Sequence, residues 1–550
     1  MNKDFISRFG PLFFAVGGAI LVLWQLLLPG YVLTWDMVLG PSHTLPVLTG
    51  LLNALPLRLF MWGMGYIAPM WIVQKGILVA LFFSLFYLPL KFFPASLQGF
   101  ARYAGATLFA VNPFVYERFL AGQWGVLAAY ALLMPLTYFL FELIESPKRK
   151  AAIYLTLTML LIGIFSLHTF VMSILVVSVV VALALPRQGI VLLKSAALAG
   201  GLVAIGSLYW LVPLALNPAI SPVPRFDEAH REAFATAIDP VVFGNAAGNV
   251  AMLYGFWGES YPWMQTLLSP KDVLPVFLPA LLALTVLIGV GIVRTLRAQE
   301  SRQRAIALVA IGAAAFVFSM GVAPSMFQTV NVWLFQHVPF WAGFRDTQKW
   351  SMWLALAYSY FFAAGAGYFL ARVRVQYSRV LGALLVLIPL FYTFPMLGGF
   401  MGQLRALEYP ATWYEANAIL AEDPECKALF LPWHQYYWLS LNDGRLTSNP
   451  ASKFFDCEMI TSQDAEIGEI GDQGNTDPSY RAIAGAVTSN DPQSIDATIS
   501  VLRSVGIRYI VFTDDIRNYD GFSYSFLGSP ELSSLYHETV DNQDLAVFKL

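Results

Sequence analysis

A single acid, Asp36, stands in the apolar and aromatic stretch 31–46 (YVLTWDMVLGPSHTLP), beside Trp35 and before Gly40-Pro41. A carboxylate so placed can act as a general base, taking the proton of a hydroxyl while that hydroxyl attacks. His43, later in the same stretch, could assist or bind a phosphate. The structural alternative is a loop acid that caps an interfacial helix beginning near Leu45.

Three further stretches group side chains that could do chemistry. In 112–125 (NPFVYERFLAGQWG), Glu117 and Arg118 stand together in what reads as a very short outer loop, 115–123, between two apolar runs. Charges near a membrane are costly unless paired or used, so this is either a working pair or an Arg that snorkels to a carboxylate. In 340–350 (FWAGFRDTQKW), Arg345 and Lys349 are four apart and open an apolar run. A helix starting near Asp346 would put both cations on its first turn, against the macrodipole. Free N–H groups with Arg and Lys make a phosphate site, the alternative being a salt bridge to Asp346 or a lipid headgroup contact. The long segment 217–272 holds 222–232 (PVPRFDEAHRE) and 255–263 (GFWGESYPW). Glu259 there is a candidate for sugar or acceptor contact. Trp263 could stack on a sugar ring or belong to an interfacial aromatic belt. His168, at the tip of SLHTF, could reach the same face or stand exposed.

Other chemistries lack their signatures. There is no Walker A motif, GxSxG, HExxH or metal-spaced Cys/His cluster. No basic stripe with interleaved aromatics suggests nucleic acid.

The elements that must carry these residues are membrane helices. The 550 residues are 57% hydrophobic and 12% charged, with mean hydropathy +0.60, against about a quarter charged in soluble domains. Eleven runs of roughly 20 mostly apolar residues are expected as spans: 11–30, 69–90, 98–114, 124–142, 151–167, 169–186, 193–216, 273–293, 305–323, 350–370 and 380–400. The first follows Lys3 and Arg8 like a signal peptide, but it is long and lacks a small-x-small cleavage site, so it is read as an uncleaved anchor. Sixteen of the 24 basic residues before position 401 fall in one alternating set of short connections, among them Lys91, 148–150, Arg302, Arg304 and 372–379. The positive-inside rule makes those connections cytoplasmic. The N-terminus is then inside and residue 401 onward outside. The expected domains are a membrane part, 1–400, and a soluble extracytoplasmic α/β part, 401–550, in a multi-pass protein of the inner membrane.

The tail is acidic, with 22 Asp and Glu against 9 Lys and Arg. Strands are expected at 427–432 (KALFLP) and 508–512 (RYIVF), a helix at 494–505, a loop over 462–492 and a last hairpin of 534–540 with 544–550 around Asn542. The two cysteines, Cys426 and Cys457, both lie here. They pair if the tail is outside the cytoplasm, or stand as two thiols.

A first-loop acid, many spans, long outer segments and a soluble C-terminal part together resemble the GT-C superfamily of integral-membrane glycosyltransferases. The stretches NPFVYERFLAGQWG and GFRDTQKW look like segments of its arabinofuranosyltransferase-type and YfhO-type groups, and the ending SVLRSVGIRYIVF then LAVFKL is also similar. The resemblance implies a GT-C-like helical domain of about 11 spans. It implies transfer of a sugar from a polyprenyl-phosphate donor to a glycan, lipid or protein acceptor outside the cytoplasm, in building cell-envelope polysaccharide. Asp36 would be the base, while Arg345, Lys349 and Arg118 would hold the lipid phosphate. His43, Glu117, His168, Glu259, Trp263 and Asp346 would be sugar or acceptor contacts. Many members pair two acids in the first loop. Here Asp36 stands alone, which leaves metal use open: no cofactor is certain, and Mg or Mn would need Asp36 with Glu259, Glu228 or Glu117. Two other classes fit the same cations. A transporter or flippase of lipid-linked sugars needs no base, but does need broken helices and related halves; Gly200 to Gly206 interrupts one span. An assembly protein would only present its tail.

Overall fold

The computed structural model describes residues 3–45, 48, 50–221, 223, 226–265, 267–464, 477–488, 495–516, 524–540 and 543–550. Pro46, Pro222, Pro224, Arg225, Ser494, Asn542 and most of the expected loop 462–492 lie outside the described residues. The chain divides into two compact units. The first holds residues 1–25, 46–60 and 76–403; the second holds 26–45, 61–75 and 404–550.

The first unit is a helical bundle. Its main helices are α1 (Lys3–Leu23), α2 (Met70–Phe92, which begins in the second unit), α3 (Gly99–Ala110), α4 (Pro113–Leu120), α5 (Trp124–Ala131), α6 (Leu133–Glu145), α7 (Arg149–Phe165), α8 (Leu167–Gly206), α9 (Leu274–Arg297), α10 (Arg302–Ser319), α11 (Ser351–Leu370) and α12 (Val375–Tyr392). Among the described residues eight stretches are long and apolar enough to cross a membrane. All eleven expected spans fall on helix, and the count differs for three local reasons. The span expected at 98–114 is the twelve-residue α3, ended by the Asn112-Pro113 cap of α4. The span at 151–167 is α7, which ends at Ser166 after 17 residues. The span at 169–186 and most of that at 193–216 run on as α8, kinked where Gly189 takes φ +63 shortly after Pro186, and the end of the latter is a separate helix, Leu208–Leu216, after Ser207.

Helix α11 is the axis of this bundle. Two thirds of its span is buried, because α3, α9 and α10 all pack on it. The small residues explain the closeness. A Cβ on Gly291 of α9 would overlap the Phe361 carbonyl oxygen, and one on Gly365 of α11 would overlap the Leu287 carbonyl oxygen. Backbone thus lies on backbone, the way helices associate where apolar surface alone gives no preference for protein over lipid. The segment 340–350, which leads into α11, is held by this packing.

The second unit is α/β. Strand β1 (Tyr31–Val32) pairs antiparallel with β2 (Ala406–Leu407). The Gln74 side chain fixes β1 from the other side, its Nε2 donating to the Val32 carbonyl and its Oε1 accepting from the Val32 N–H, both at 2.8 Å. β3 (Lys427–Leu431), β4 (Tyr436–Leu439), β5 (Arg445–Ser448), β6 (Glu458–Ile460), β7 (Tyr509–Thr513), β8 (Ser533–Val540) and β9 (Gln543–Lys549) follow. The main sheet runs β6-β3-β7-β9-β8, parallel through β7 and antiparallel after it. Helices α13 (Pro478–Thr488) and α14 (Ile495–Ser504) cover it, burying Ile483, Val487 and Leu502 against Leu429, Leu431 and Ile510. The two expected strands, the helix and the hairpin are all present, whereas the expected loop 462–492 contains the helix Pro478–Thr488. Cys426 and Cys457 form a disulfide with Cα atoms 5.1 Å apart.

Candidate active site

The dipeptide Glu117-Arg118 sits at the hub of the first unit. The short outer loop expected there is instead a helix, α4. Asn112 caps it, accepting from the Val115 N–H at 3.1 Å, and Pro113 fills the first position, where its missing N–H costs nothing. The Asn112 amide also donates to the Leu108 and Phe109 carbonyls, stitching α4 to the end of α3. Every residue of α4 is buried.

Arg118 points to one side, toward Asp346. Its Nη1 and Nη2 grip the two Asp346 carboxylate oxygens at 2.5 and 2.8 Å. Nη1 also donates to Gln123 Oε1, while Nε and Nη2 donate to Gln348 Oε1. All five donors of the guanidinium are engaged, and its face lies 4.5 Å over the Phe256 ring. Lys349 Nζ stands 3.4 Å from the same Asp346 carboxylate. Burial alone would push the Asp346 carboxyl up, but the charges of Arg118 and Lys349 hold it well below the usual carboxylate range. The helix expected to start near Asp346 is a 3-10 turn over Thr347–Trp350 that leads into α11. Arg345, just ahead of it, has its guanidinium carbon 3.6 Å from the centre of the Phe226 ring and 4.5 Å from that of Phe234. His168 is not an exposed tip. It is partly buried, with Nε2 2.8 Å from the Gly343 carbonyl oxygen, because Ser166 ends α7 and caps α8 in one tight turn.

Glu117 points to the other side, into a second polar cluster. Lys271 Nζ lies 3.2 Å from Asp239 and 3.2 Å from Glu259, and donates to Asn249 at 3.1 Å. The Tyr254 ring covers it at 4.3 Å. Glu259 accepts from the Gly255 N–H at 2.5 Å and from the Asn249 amide. Asp239 accepts from the Val242 and Phe243 N–H groups. Burial first, and then the neighbouring Glu259, hold the Glu117 carboxyl far above its ordinary range. Lys271 loses some proton affinity to burial, yet the charges of Glu259, Glu117 and Asp239 raise it overall. Trp263 packs on the bare face of Gly258 and against Trp257.

In the second unit, Asp36 is exposed at a tight turn. Thr34 and Met37 bridge across the turn, and Trp35 takes φ +28, a conformation L side chains rarely adopt. The turn is clamped by the β4–β5 hairpin: the Trp35 N–H donates to the Leu446 carbonyl at 3.1 Å, and the Trp35 carbonyl accepts from the Ser448 N–H at 2.8 Å. The Tyr436 hydroxyl donates to Asp36 Oδ1 at 3.0 Å. Among the described residues, the first helix after it begins at Leu55. His43 packs on Gly65 with its ring edge-on to Tyr66, and its backbone N–H reaches Asp456.

No family model and no curated protein matches this chain. Solved structures do. The cryo-electron-microscopy structure of the arabinofuranosyltransferase AftD from mycobacteria matches with TM-score 0.64 at 14% identity, over 99% of this chain and 40% of that one. Two classes of a mutant of the same protein match with TM-scores 0.61 and 0.55, at 15% and 14% identity, over 99% of this chain and 41% of each. The chain shares the fold of the part of AftD that it matches. This chain spans about two fifths of the length of the structures it matches, and at such identity the likeness shows fold alone.

Within that fold, Arg118, Glu117, Asp346, Lys349 and Glu259 belong to one continuous polar region of the first unit, joined through Gln348, whose amide reaches the Tyr254 carbonyl at 3.4 Å. Asp36 and His43 belong to the second unit. Glu228 pairs with Arg231 on its own short helix. Among the described residues no group of three or more His, Cys, Asp or Glu side chains is placed to hold a metal ion. Lys271, Asp239, Asn249 and Gln348 complete the polar region and were not singled out from sequence. The clue available was Lys271 beside Asp272 in the SPKD turn, a cation in a segment, 217–272, where acids outnumber bases.

Proposed function

We propose that this chain is a membrane glycosyltransferase, moving a sugar from a polyprenyl-phosphate donor to a glycan, lipid or protein acceptor on the extracytoplasmic face. The observation that carries the reading is Asp36. It is an exposed carboxylate on a turn with Trp35 at positive φ, oriented by the Tyr436 hydroxyl, in a chain with the AftD fold. Backbone strain of this kind persists only where the surroundings over-determine it, and it clusters at functional positions.

In this reading Asp36 takes the proton of the acceptor hydroxyl as its oxygen bonds to the anomeric carbon. The bond from that carbon to the phosphate oxygen breaks, and its electron pair leaves with the lipid phosphate. Arg118, with its donors already engaged, acts as a positioning residue that holds Asp346 beside Lys349.

The test compares purified wild type with Asp36→Asn on radiolabelled polyprenyl-phosphate sugars. Loss of a base lowers turnover by about 10²–10⁴-fold, with donor binding retained. Equal turnover by both proteins removes Asp36 from the chemistry. Donor binding with no turnover by wild type, when acceptor is supplied, favours a carrier.

A further inference from the structure

The turn that carries Asp36 is supported from further away than the residues that touch it. Its clamp, the β4–β5 hairpin, is two-stranded, and such a pair alone is marginal in water. The closed end of the hairpin is the 3-10 turn Ser440–Asn442 followed by Asp443, and that end is tied to the main sheet. Leu439 bridges antiparallel to Ile516. The Ser440 N–H donates to Asp515 Oδ1 at 3.1 Å and toward the Asp515 carbonyl at 3.4 Å. Asp515 stands just past the end of β7, the central strand of that sheet, and its own N–H donates to Thr513 Oγ1 at 3.2 Å. The Asp514 N–H donates to the Asp544 carbonyl at 3.1 Å, which fixes the end of β7 to β9.

Asn442 carries this support across to the Asp36 stretch. Its Nδ2 donates to the Leu33 carbonyl at 3.2 Å, and Asn442 and Leu33 are each only 1% exposed. Water cannot replace a donor at that depth, so the bond constrains the Leu33 peptide. On one side of Leu33 is Val32, held by Gln74. On the other is Thr34, which closes the turn with Met37. All of these residues belong to the second unit, as Asp36 does.

We propose that Asn442 and Asp515 are positioning residues for Asp36. Asp515 acts as the acceptor that pins the Ser440–Asn442 turn, and Asn442 passes that constraint to the Leu33 peptide. This rests on the reading of Asp36 as the base of sugar transfer.

Hydrogen–deuterium exchange of the detergent-purified protein tests it, alongside turnover of the radiolabelled polyprenyl-phosphate sugars. Asn442→Ala should speed exchange over residues 31–39 by about tenfold, the factor one buried hydrogen bond is worth. It should lower kcat by about as much with KM unchanged, while β7 and β9 exchange as in wild type. Asp515→Asn keeps an oxygen for the Ser440 N–H and should retain both the protection and the turnover; Asp515→Ala should lose both. In the Asp36→Asn background, adding Asn442→Ala should lower turnover no further, whereas a misfolded fraction would lower it again. Should Asp515→Ala not fold, Asn442→Ala and Asp515→Asn still decide. Unchanged exchange over 31–39 in Asn442→Ala, loss of protection in Asp515→Asn, or a further loss of turnover in the double variant overturns the proposal. No turnover by wild type, with exchange as stated, upholds the support of the turn and refutes the reading of Asp36 on which its catalytic meaning rests.

Discussion

Arg118 and Asp346, 228 residues apart in the chain, meet as a two-pronged ion pair with both side chains buried. Each prong ends on a different carboxylate oxygen, a geometry that only a planar guanidinium can make. Removing one member of such a pair leaves an uncompensated buried charge, which costs about 3–5 kcal/mol. Arg118→Ala should therefore lower the thermal midpoint of the purified protein sharply. Arg118→Lys should lower it less, but not restore it, since an ammonium cannot serve Asp346, Gln123 and Gln348 together. Melting curves of the three proteins in one detergent check this. An unchanged midpoint for Arg118→Ala would mean the pair is not formed in solution.

Glu117 makes a different demand. Its carboxyl is held far above the ordinary range by burial and by Glu259, so the folded protein prefers it protonated. A raised folded pKa gives stability that is complete below the unfolded value, about 4.3, and is lost as pH rises toward the folded value. Glu117→Gln mimics the protonated form and removes that loss. The variant should match wild type near pH 4 and be the more stable of the two by pH 7–8, a window set by the unfolded value. Melting curves across that window check the sign. A variant that is less stable at the upper end would show that Glu117 is ionised in its cluster.

The pairing of these residues explains what the sequence could and could not disclose. Apolar runs and turn residues are local signals, so the helices, the two expected tail strands and the last hairpin could be read directly. The stretches 112–125 and 340–350 stood out because charges beside apolar runs are unusual. Their mutual contact, and the entry of Lys271 and Asp239, depend on how helices pack, which no local pattern encodes. The β4–β5 hairpin was legible but overlooked. Asp443-Gly444, with φ +55 and +65, ends the five-residue connection between Leu439 and Arg445 and is a hairpin signal, and this hairpin is what clamps the Asp36 turn.

The contact of α9 with α11 should be intolerant of any added atom. A Cβ at Gly365 would overlap the Leu287 carbonyl oxygen, which is backbone and cannot swing aside. Gly365→Ala should destabilise by about 1–3 kcal/mol, the usual cost of overpacking, although Ala favours helix by roughly 1 kcal/mol over Gly. Gly289, on the same helix as Gly291 but with nothing near its Cβ direction, is the control: Gly289→Ala should be neutral or stabilising. A comparison of midpoints separates packing from propensity, and equal effects at the two sites would refute the close approach.

Tyr436 tests the proposed role of Asp36 without touching the carboxylate. Its hydroxyl donates to Asp36 Oδ1 at 3.0 Å, and its ring lies edge-on to Trp35. Tyr436→Phe keeps the ring and removes only the donor. A hydrogen bond to a charged group is worth about 1.5–3 kcal/mol, and exposure reduces this, so turnover should fall by about tenfold with little change in KM. The decisive measurement is the cycle with Asp36→Asn. If Tyr436 acts through Asp36, the double variant should be no slower than Asp36→Asn alone. If the two losses multiply, Tyr436 has a role of its own, and its bond to Asp36 is incidental to turnover.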